Sequence, residues 1–261
     1  MLDNGGWNAL YMENHDQGRA ISRYASDDPK CRSLSSKMIA THLLFQCGTP
    51  FIFQGQESAM ANVPKGWQVE DYKDIELINH WKSVLRDHPE DLDLQKRTLE
   101  QYRLISRDNA RTPMQWNSAP FAGFMPKDSK ARPWMNLHQD FECWNVESQL
   151  HNSLSALNYW RAALMLRKEK KAVFVYGDFE MLDQENESVI TYLRSAADER
   201  LRALIITNFA NEDVLWRVPV EAKSIVQDGS VVLSNYHETP LLERADLIQL
   251  RPFEALVWIL D

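Results

Sequence analysis

Two textures divide the chain. Up to about residue 170, short apolar runs alternate with segments whose apolar positions recur at helical spacing, whereas beyond it short β-prone runs follow one another with turn residues between. The run at residues 8–13 (NALYME) predicts a short buried strand, ending where Asn14, His15 and Asp16 begin. Residues 35–46 (SSKMIATHLLFQ) predict a helix, with a serine pair able to cap its start. Gly48-Thr49-Pro50 stops it, and Phe51-Ile52-Phe53 forms a second apolar run before Gln54-Gly55-Gln56-Glu57. Strand, polar loop, helix, tight turn, strand, polar loop is the order of βα units in a parallel sheet or barrel.

Residues 58 to about 150 are long and irregular, with charged helical pieces expected around Tyr72–His88 and Leu92–Ile105. A loop follows that carries Met114-Gln115-Trp116, Pro120, Pro126 and Pro133-Trp134. A loop of that length is usually functional or disordered, and its tryptophans argue against disorder. The next helix has Asn152 or Ser153 as its cap and a stripe of Leu154, Leu157, Trp160, Ala163, Leu164 and Leu166. The basic run Arg167-Lys168-Glu169-Lys170-Lys171 reads as its solvated C-terminal end, where cations offset exposed carbonyls.

From about residue 172, strands are expected at Val173–Tyr176, Val189–Leu193, Ala203–Thr207, Val214–Val218, Val231–Leu233 and Ala255–Leu260, with no helical stripe between them. That is the pattern of a separate antiparallel β domain of roughly 90 residues. A complete (β/α)₈ barrel takes about 250 residues. With two recognisable βα units in the first 170 residues or so, that part is either a smaller domain or the tail of a larger one. The opening "MLDNGGWNALYM" reads like the middle of a domain.

Composition narrows the classes. With 44% hydrophobic and 25% charged residues the 261-residue chain is of globular type. A net charge of -8 and a pI near 5.4 argue against nucleic acid or an anionic membrane as its partner. Nine tryptophans, 8 tyrosines and 10 phenylalanines suit core packing first and stacking surfaces for sugar rings second. Cys31, Cys47 and Cys143 match neither a disulfide framework nor a CxxC metal pattern, which points to a reducing compartment and a cytoplasmic location. No basic start leads into an apolar run and no stretch approaches the 18 or so apolar residues of a membrane span, so the expectation is a soluble chain.

Three segments could carry chemistry. Asn14-His15-Asp16, at the C-terminal mouth of a predicted strand, puts a carboxylate acceptor beside an imidazole donor, as a pair of sugar hydroxyls would require; on its own the tripeptide reads more readily as an Asx-type turn or a helix cap made by Asn14 or Asp16. In "ISRDNARTPMQW", Arg107 and Arg111 lie four residues apart, either as a fork for hydroxyls or a carboxylate or as a surface ion-pair cluster. In "FQGQES", Glu57 is either catalytic or a structural brace. No histidine pairs with an acid as in HExxH, and there is no GxGxxG, P-loop or GxSxG; no metal and no cofactor is expected.

In this order and spacing the segments resemble the fungal maltase and isomaltase type of α-glucosidase, in the α-amylase superfamily (glycoside hydrolase family 13), over essentially the whole chain. "ENHDQGRAISRYASDDPK" is similar to the family's fourth signature region and its arginine-rich sequel, and "GTPFIFQGQE" to its eighth-strand region. "SRDNARTPMQW" followed by Pro133-Trp134 resembles the oligo-1,6-glucosidase and maltase branch, and "NVESQ" and the late β region also fit. The resemblance implies an α/β plus all-β fold: residues 1–170 the C-terminal part of a (β/α)₈ TIM barrel, from about strand seven onward, and residues 171–261 an antiparallel β-sandwich. It implies hydrolysis of terminal α-linked glucose by a retaining mechanism. Asp16 is then the family's third acid, catalytic through its grip on the glucose hydroxyls, and His15 the neighbouring donor. Arg107 is the first choice and Arg111 the second for the arginine closing the glucose pocket.

Two departures accompany the resemblance. Many relatives carry proline where Gly18 stands, which implies a looser loop after Asp16. More important, retaining hydrolysis needs two carboxyl groups about 5–5.5 Å apart. The family's nucleophile aspartate and acid/base glutamate follow its fourth and fifth strands, and neither has a matching motif in these residues. On its own, the chain is therefore expected to be an inactive fragment. Two alternatives remain: a sucrose isomerase, trehalose-6-phosphate hydrolase or transglucosidase of the same family, and a non-catalytic relative that binds a carbohydrate or a partner protein.

Overall fold

The computed structural model describes residues 5–198, 200–238, 241–244 and 246–261. Met1–Asn4, where the expected first domain begins, lie outside them. Strands β1 (Ala9–Tyr11) and β2 (Thr49–Phe51) pair in parallel, with Ala9 opposite Thr49 and Tyr11 opposite Phe51. The crossover between them carries α1 (Ala20–Tyr24) and α2 (Arg32–Leu44), as the βα reading requires. Leu10, between the exposed Ala9 and Tyr11, packs toward the helices, the alternation of a strand with two faces. Strand β2 ends two residues earlier than expected. At Phe53 the chain already turns, its N–H bonded to Gln56 Oε1 at 3.2 Å.

Helix α2 starts three residues before Ser35 and is not capped by the serine pair. Its first N–H groups are met by the backbone, with Asp28 O accepting from Arg32 N at 2.8 Å. The buried serines bond sideways instead: Ser36 Oγ accepts from Trp160 Nε1 at 3.1 Å and Ser35 Oγ from Ser26 N at 3.2 Å. Helices α3 (Ile75–Asp87) and α4 (Leu92–Ile105) form where expected, capped by Asp74 and Asp91. The tryptophan-dotted loop is ordered and holds the short α5 (Val146–Leu150).

Helix α6 (Ala156–Glu169) is capped by Ser155, not by Asn152 or Ser153. Asn158 Nδ2 holds the preceding turn by the carbonyls of Gln149, Leu150 and Asn152, which delays the helix. Leu157, Trp160 and Ala163 are buried, but Leu154 (51% exposed) and Leu164 (38%) are not part of the stripe. Nor is Arg167 solvated. It is buried, and its guanidinium donates to Gln46 O, Phe174 O and Gly48 O at 3.1, 2.9 and 2.6 Å. Arg194, also buried, donates to Phe45 O at 2.7 Å and to Phe174 O at 3.0 Å. Carbonyls just beyond the C-terminal end of α2 thus find partners that the helix cannot supply. Residues 173–176, expected as strand, follow that demand: α7 (Lys171–Phe174) is helical, with Val173 and Phe174 buried and the Phe174 carbonyl shared by both guanidiniums.

The remaining elements are β3 (Asp178–Leu182), β4 (Val189–Ser195), β5 (Arg202–Asn208), β6 (Val214–Arg217), α8 (Lys223–Asp228), β7 (Ser230–Ser234), β8 (Leu241–Arg244), β9 (Leu247–Leu250) and β10 (Ala255–Leu260). They build two antiparallel sheets, ordered β3-β4-β5-β10-β7 and β6-β9-β8. The central strands bury both faces. Tyr192, Ala203, Ile205 and Val257 pack on the layer of α2 and α6, while Leu193, Leu204, Ile206 and Leu256 pack with Trp216, Ile248 and Leu250 of the small sheet. Strands buried on both sides read as continuous apolar runs, which is why β4, β5 and β10 were visible in the sequence. Helix α8 interrupts the strands against expectation, with Ile225 and Val226 plugging the end of that second core. Among the described residues no helix is long and apolar enough to cross a membrane.

Candidate functional site

The polar loop after β1 uses its three residues differently. Asn14 Oδ1 accepts the N–H of Asp16 at 2.9 Å, so Asn14 makes an Asx turn. That turn frees the next two side chains: His15 is 72% and Asp16 51% exposed, with His15 Nε2 3.1 Å from Asp16 Oδ2. The turn and the polar corner are therefore the same structure.

Both arginines reach this corner, unequally. Arg111 Nη2 donates to Asp16 Oδ1 at 3.0 Å and its Nε to His15 O at 2.9 Å. Arg107 Nη1 stands 3.8 Å from the same Asp16 oxygen. The fork of Arg107 is committed elsewhere, with Nε and Nη2 on the two carboxylate oxygens of Asp74 at 2.9 and 2.7 Å. The Arg107 hydrogen bonds hold the Asp74 carboxyl below its ordinary range, against the opposing pull of burial. Asp74 also caps α3, and Asp108 beneath accepts from Lys73 N and Asp74 N at 2.6 and 2.8 Å. Trp134, of the Pro-Trp pair, donates its indole N–H to Arg111 O at 2.8 Å. Asp16, Arg107, Asp74, Tyr102 and Ile105 help line an open cleft of about 460 Å³.

A buried hub holds the two loops together. Arg19, wholly inaccessible, donates to Glu13 Oε2 at 3.1 Å, Gln54 O at 2.7 Å and Asn109 O at 3.3 Å. Its backbone N–H donates to Asn62 Oδ1 at 2.7 Å, and Asn109 Oδ1 accepts from Val63 N at 2.9 Å. Arg19 lies three residues after Asp16, and its partner Asn109 two residues before Arg111. It therefore sets the spacing of the pair. Nothing in the sequence marks it, because an arginine in a polar loop reads as surface. Gly18 is buried beside this hub: a Cβ there would stand 3.0 Å from both Asn62 Oδ1 and Leu104 O. Glu57 stays outside the cluster; it is partly buried, and its Oε2 has no hydrogen-bond partner among the described residues.

Chemically, the corner offers an exposed carboxylate flanked by an imidazole and a guanidinium, an acceptor and donors suited to adjacent hydroxyl groups.

Comparison with known proteins gives concordant results. The family model of the α-amylase catalytic domain matches residues 1–177. The α-glucosidase of Schizosaccharomyces pombe is 38% identical over 257 residues, covering 98% of this chain and 42% of that protein. An oligo-1,6-glucosidase of Parageobacillus thermoglucosidasius is 36% identical over 257 residues, covering 98% and 43% respectively. Among solved structures, trehalose-6-phosphate hydrolase of Bacillus licheniformis superposes with a TM-score of 0.87 at 32% identity, over 99% of this chain and 44% of that one. The chain thus spans less than half the length of the curated relatives it matches.

Proposed function

The chain belongs to the α-amylase family of glycosidases, and from that premise we propose that it supplies the sugar-gripping corner of an α-glucosidase acting on maltose, isomaltose or a related α-glucoside. Asp16 is the catalytic carboxylate of that corner, holding glucose hydroxyls more tightly as the ring distorts toward the transition state. His15 donates to the same sugar. Arg111 orients Asp16 by a direct bond, and Arg107, which lines the cleft beside Asp16, closes the glucose pocket.

The observation that carries the reading is the 3.0 Å bond from Arg111 to an Asp16 that remains half exposed. The place given to Arg107 is supported by its position in the wall of that cleft, where Asp74 fixes its fork. The α-glucosidase reading is supported by the curated relatives, α-glucosidases and oligo-1,6-glucosidases at 35–38% identity. In this reading residues 1–170 are barrel and 171–261 a β-sandwich. The nucleophile and the acid/base have no counterpart among these residues. An assay of the purified 261-residue chain on maltose, isomaltose and sucrose tests this: no turnover is expected, and steady hydrolysis would contradict it.

A further inference from the structure

The small parallel sheet is covered on one face only. Leu10 packs on the core beneath it, whereas Ala9, Tyr11, Thr49 and Phe51 are exposed. Tyr11 lies opposite Phe51 across the strand pair, and the two are 52% and 56% exposed. Trp7, also exposed, donates its indole N–H to Thr49 Oγ1 at 2.7 Å. Ala9, Tyr11, Phe51 and Phe53 help line a cleft of about 410 Å³. Among the described residues β1 and β2 pair only with each other, so each keeps a row of unpaired backbone groups along its outer edge.

Parallel strands occur with both faces covered, and two strands alone are marginal in water. An exposed aromatic row on such a pair marks an interface. The face is also preformed. Arg19 ties the ends of both strands together through Glu13 Oε2 at 3.1 Å and Gln54 O at 2.7 Å. Arg167 Nη2 holds Gly48 O, just before β2, at 2.6 Å. A partner meets this face without rebuilding the chain, which lowers the cost of docking.

Given the barrel reading of residues 1–170, on which this inference rests, the cover is further parallel strand. The chain accounts for 42% of the Schizosaccharomyces pombe α-glucosidase and 43% of the oligo-1,6-glucosidase, so more than half of each relative has no counterpart in it. A second copy fits less well, because a two-fold axis sets like edges antiparallel and purely parallel sheets are favoured.

We propose that this face docks the remaining part of an α-amylase-family barrel, and that it does so between separate chains. Parallel strands add to the outer edges of β1 and β2, and apolar side chains cover Tyr11 and Phe51, with no covalent link needed.

A cleavable fusion tests it. The part of Schizosaccharomyces pombe α-glucosidase outside the matched stretch is joined to this chain by a linker with a protease site, and the linker is cut after purification. The two pieces should sediment together, in equal amounts, at about 1 μM. Tyr11→Lys with Phe51→Glu makes an opposite-charge pair that an exposed face tolerates and an apolar contact does not. It should weaken the association at least about tenfold and leave the urea midpoint of the 261-residue chain unchanged. Phe51→Ala alone should weaken it about fivefold. The proposal is overturned if the cut wild-type pieces separate, or if both variants hold together as tightly as the wild type. It is overturned too if the 261-residue chain alone forms a dimer that the double substitution disperses, which would assign the face to a second copy. Hydrolysis of 4-nitrophenyl α-glucoside is read separately: cut pieces that stay together without hydrolysing it uphold the docking and count against the glucosidase reading.

Discussion

Arg111 holds Asp16 twice over, by a 3.0 Å bond to the carboxylate and a 2.9 Å bond to the carbonyl of His15 one residue before it. The backbone contact fixes where the loop lies and the side-chain contact fixes how its acid points. Because both partners are substantially exposed, this geometry serves orientation far more than stability.

Stability and orientation should therefore separate by residue. Arg111→Ala should lower the unfolding free energy by less than about 1 kcal/mol, the ceiling for an exposed ion pair. Asp74→Ala removes the α3 cap, which alone is worth about 1 kcal/mol, so its urea midpoint should fall further. An Arg111→Ala variant more destabilised than Asp74→Ala would contradict this division.

The Arg19 hub makes a stronger claim. Arg19→Met leaves Glu13 buried without its cation and frees the carbonyls of Gln54 and Asn109, so a loss of about 3–5 kcal/mol is expected. Adding Glu13→Gln removes the stranded charge and keeps an oxygen for the Ala20 N–H, now bonded at 2.8 Å. The double variant should recover at least about 1 kcal/mol in equilibrium unfolding. Simple additivity of the two losses would show that the pair is not coupled.

Gly18→Ala tests the close packing of the same loop. The new methyl would meet Asn62 Oδ1 and Leu104 O at 3.0 Å, and Asn62 is pinned by its bonds to Arg19 N and Arg103 O. A cost of about 1–3 kcal/mol is expected, as for overpacking elsewhere. A neutral or stabilising change in melting would mean that the Asn62 side chain yields.

His42 carries the pH dependence of the junction between α2 and the large sheet. Burial lowers it from 6.5 to about 4, with Nδ1 unpartnered among the described residues and the ring edge-on to Phe209. The folded state thus resists a proton that the unfolded chain takes up near pH 6.5. Stability is complete above about pH 6.5 and declines toward pH 4, by roughly 2–3 kcal/mol from this group. Unfolding curves at pH 7 and pH 4.5 should differ less for His42→Phe than for the wild type; equal slopes would assign the effect elsewhere.

Much of this was legible in the sequence where a residue's local pattern agrees with its packing. Strands β4, β5 and β10 announced themselves because both their faces are buried, and α3 and α4 as charged helical stretches, whose aspartate caps the structure adds. Strand β3 was missed because three of its five positions face solvent, and Asp178 and Glu180 lie among them. The run Val173–Tyr176 is β-prone, yet Val173 and Phe174 end α7 and two buried guanidiniums take the Phe174 carbonyl; no local propensity records such a tertiary demand. At the site, His15 and Asp16 were nameable as polar residues at a predicted strand end, and Arg107 and Arg111 by their spacing in the segment after α4. Which arginine lies nearer was not, because the answer turns on Asp74, 33 residues away from Arg107.

The most direct test joins the part of Schizosaccharomyces pombe α-glucosidase that lies outside the matched stretch to this chain, and measures hydrolysis of 4-nitrophenyl α-glucoside with and without Asp16→Asn. The fusion should be active, and the substitution should lower kcat/KM at least about 100-fold, as expected for loss of a group that acts on the transition state. A fusion that keeps its activity after Asp16→Asn would show that this corner does not grip the glucose.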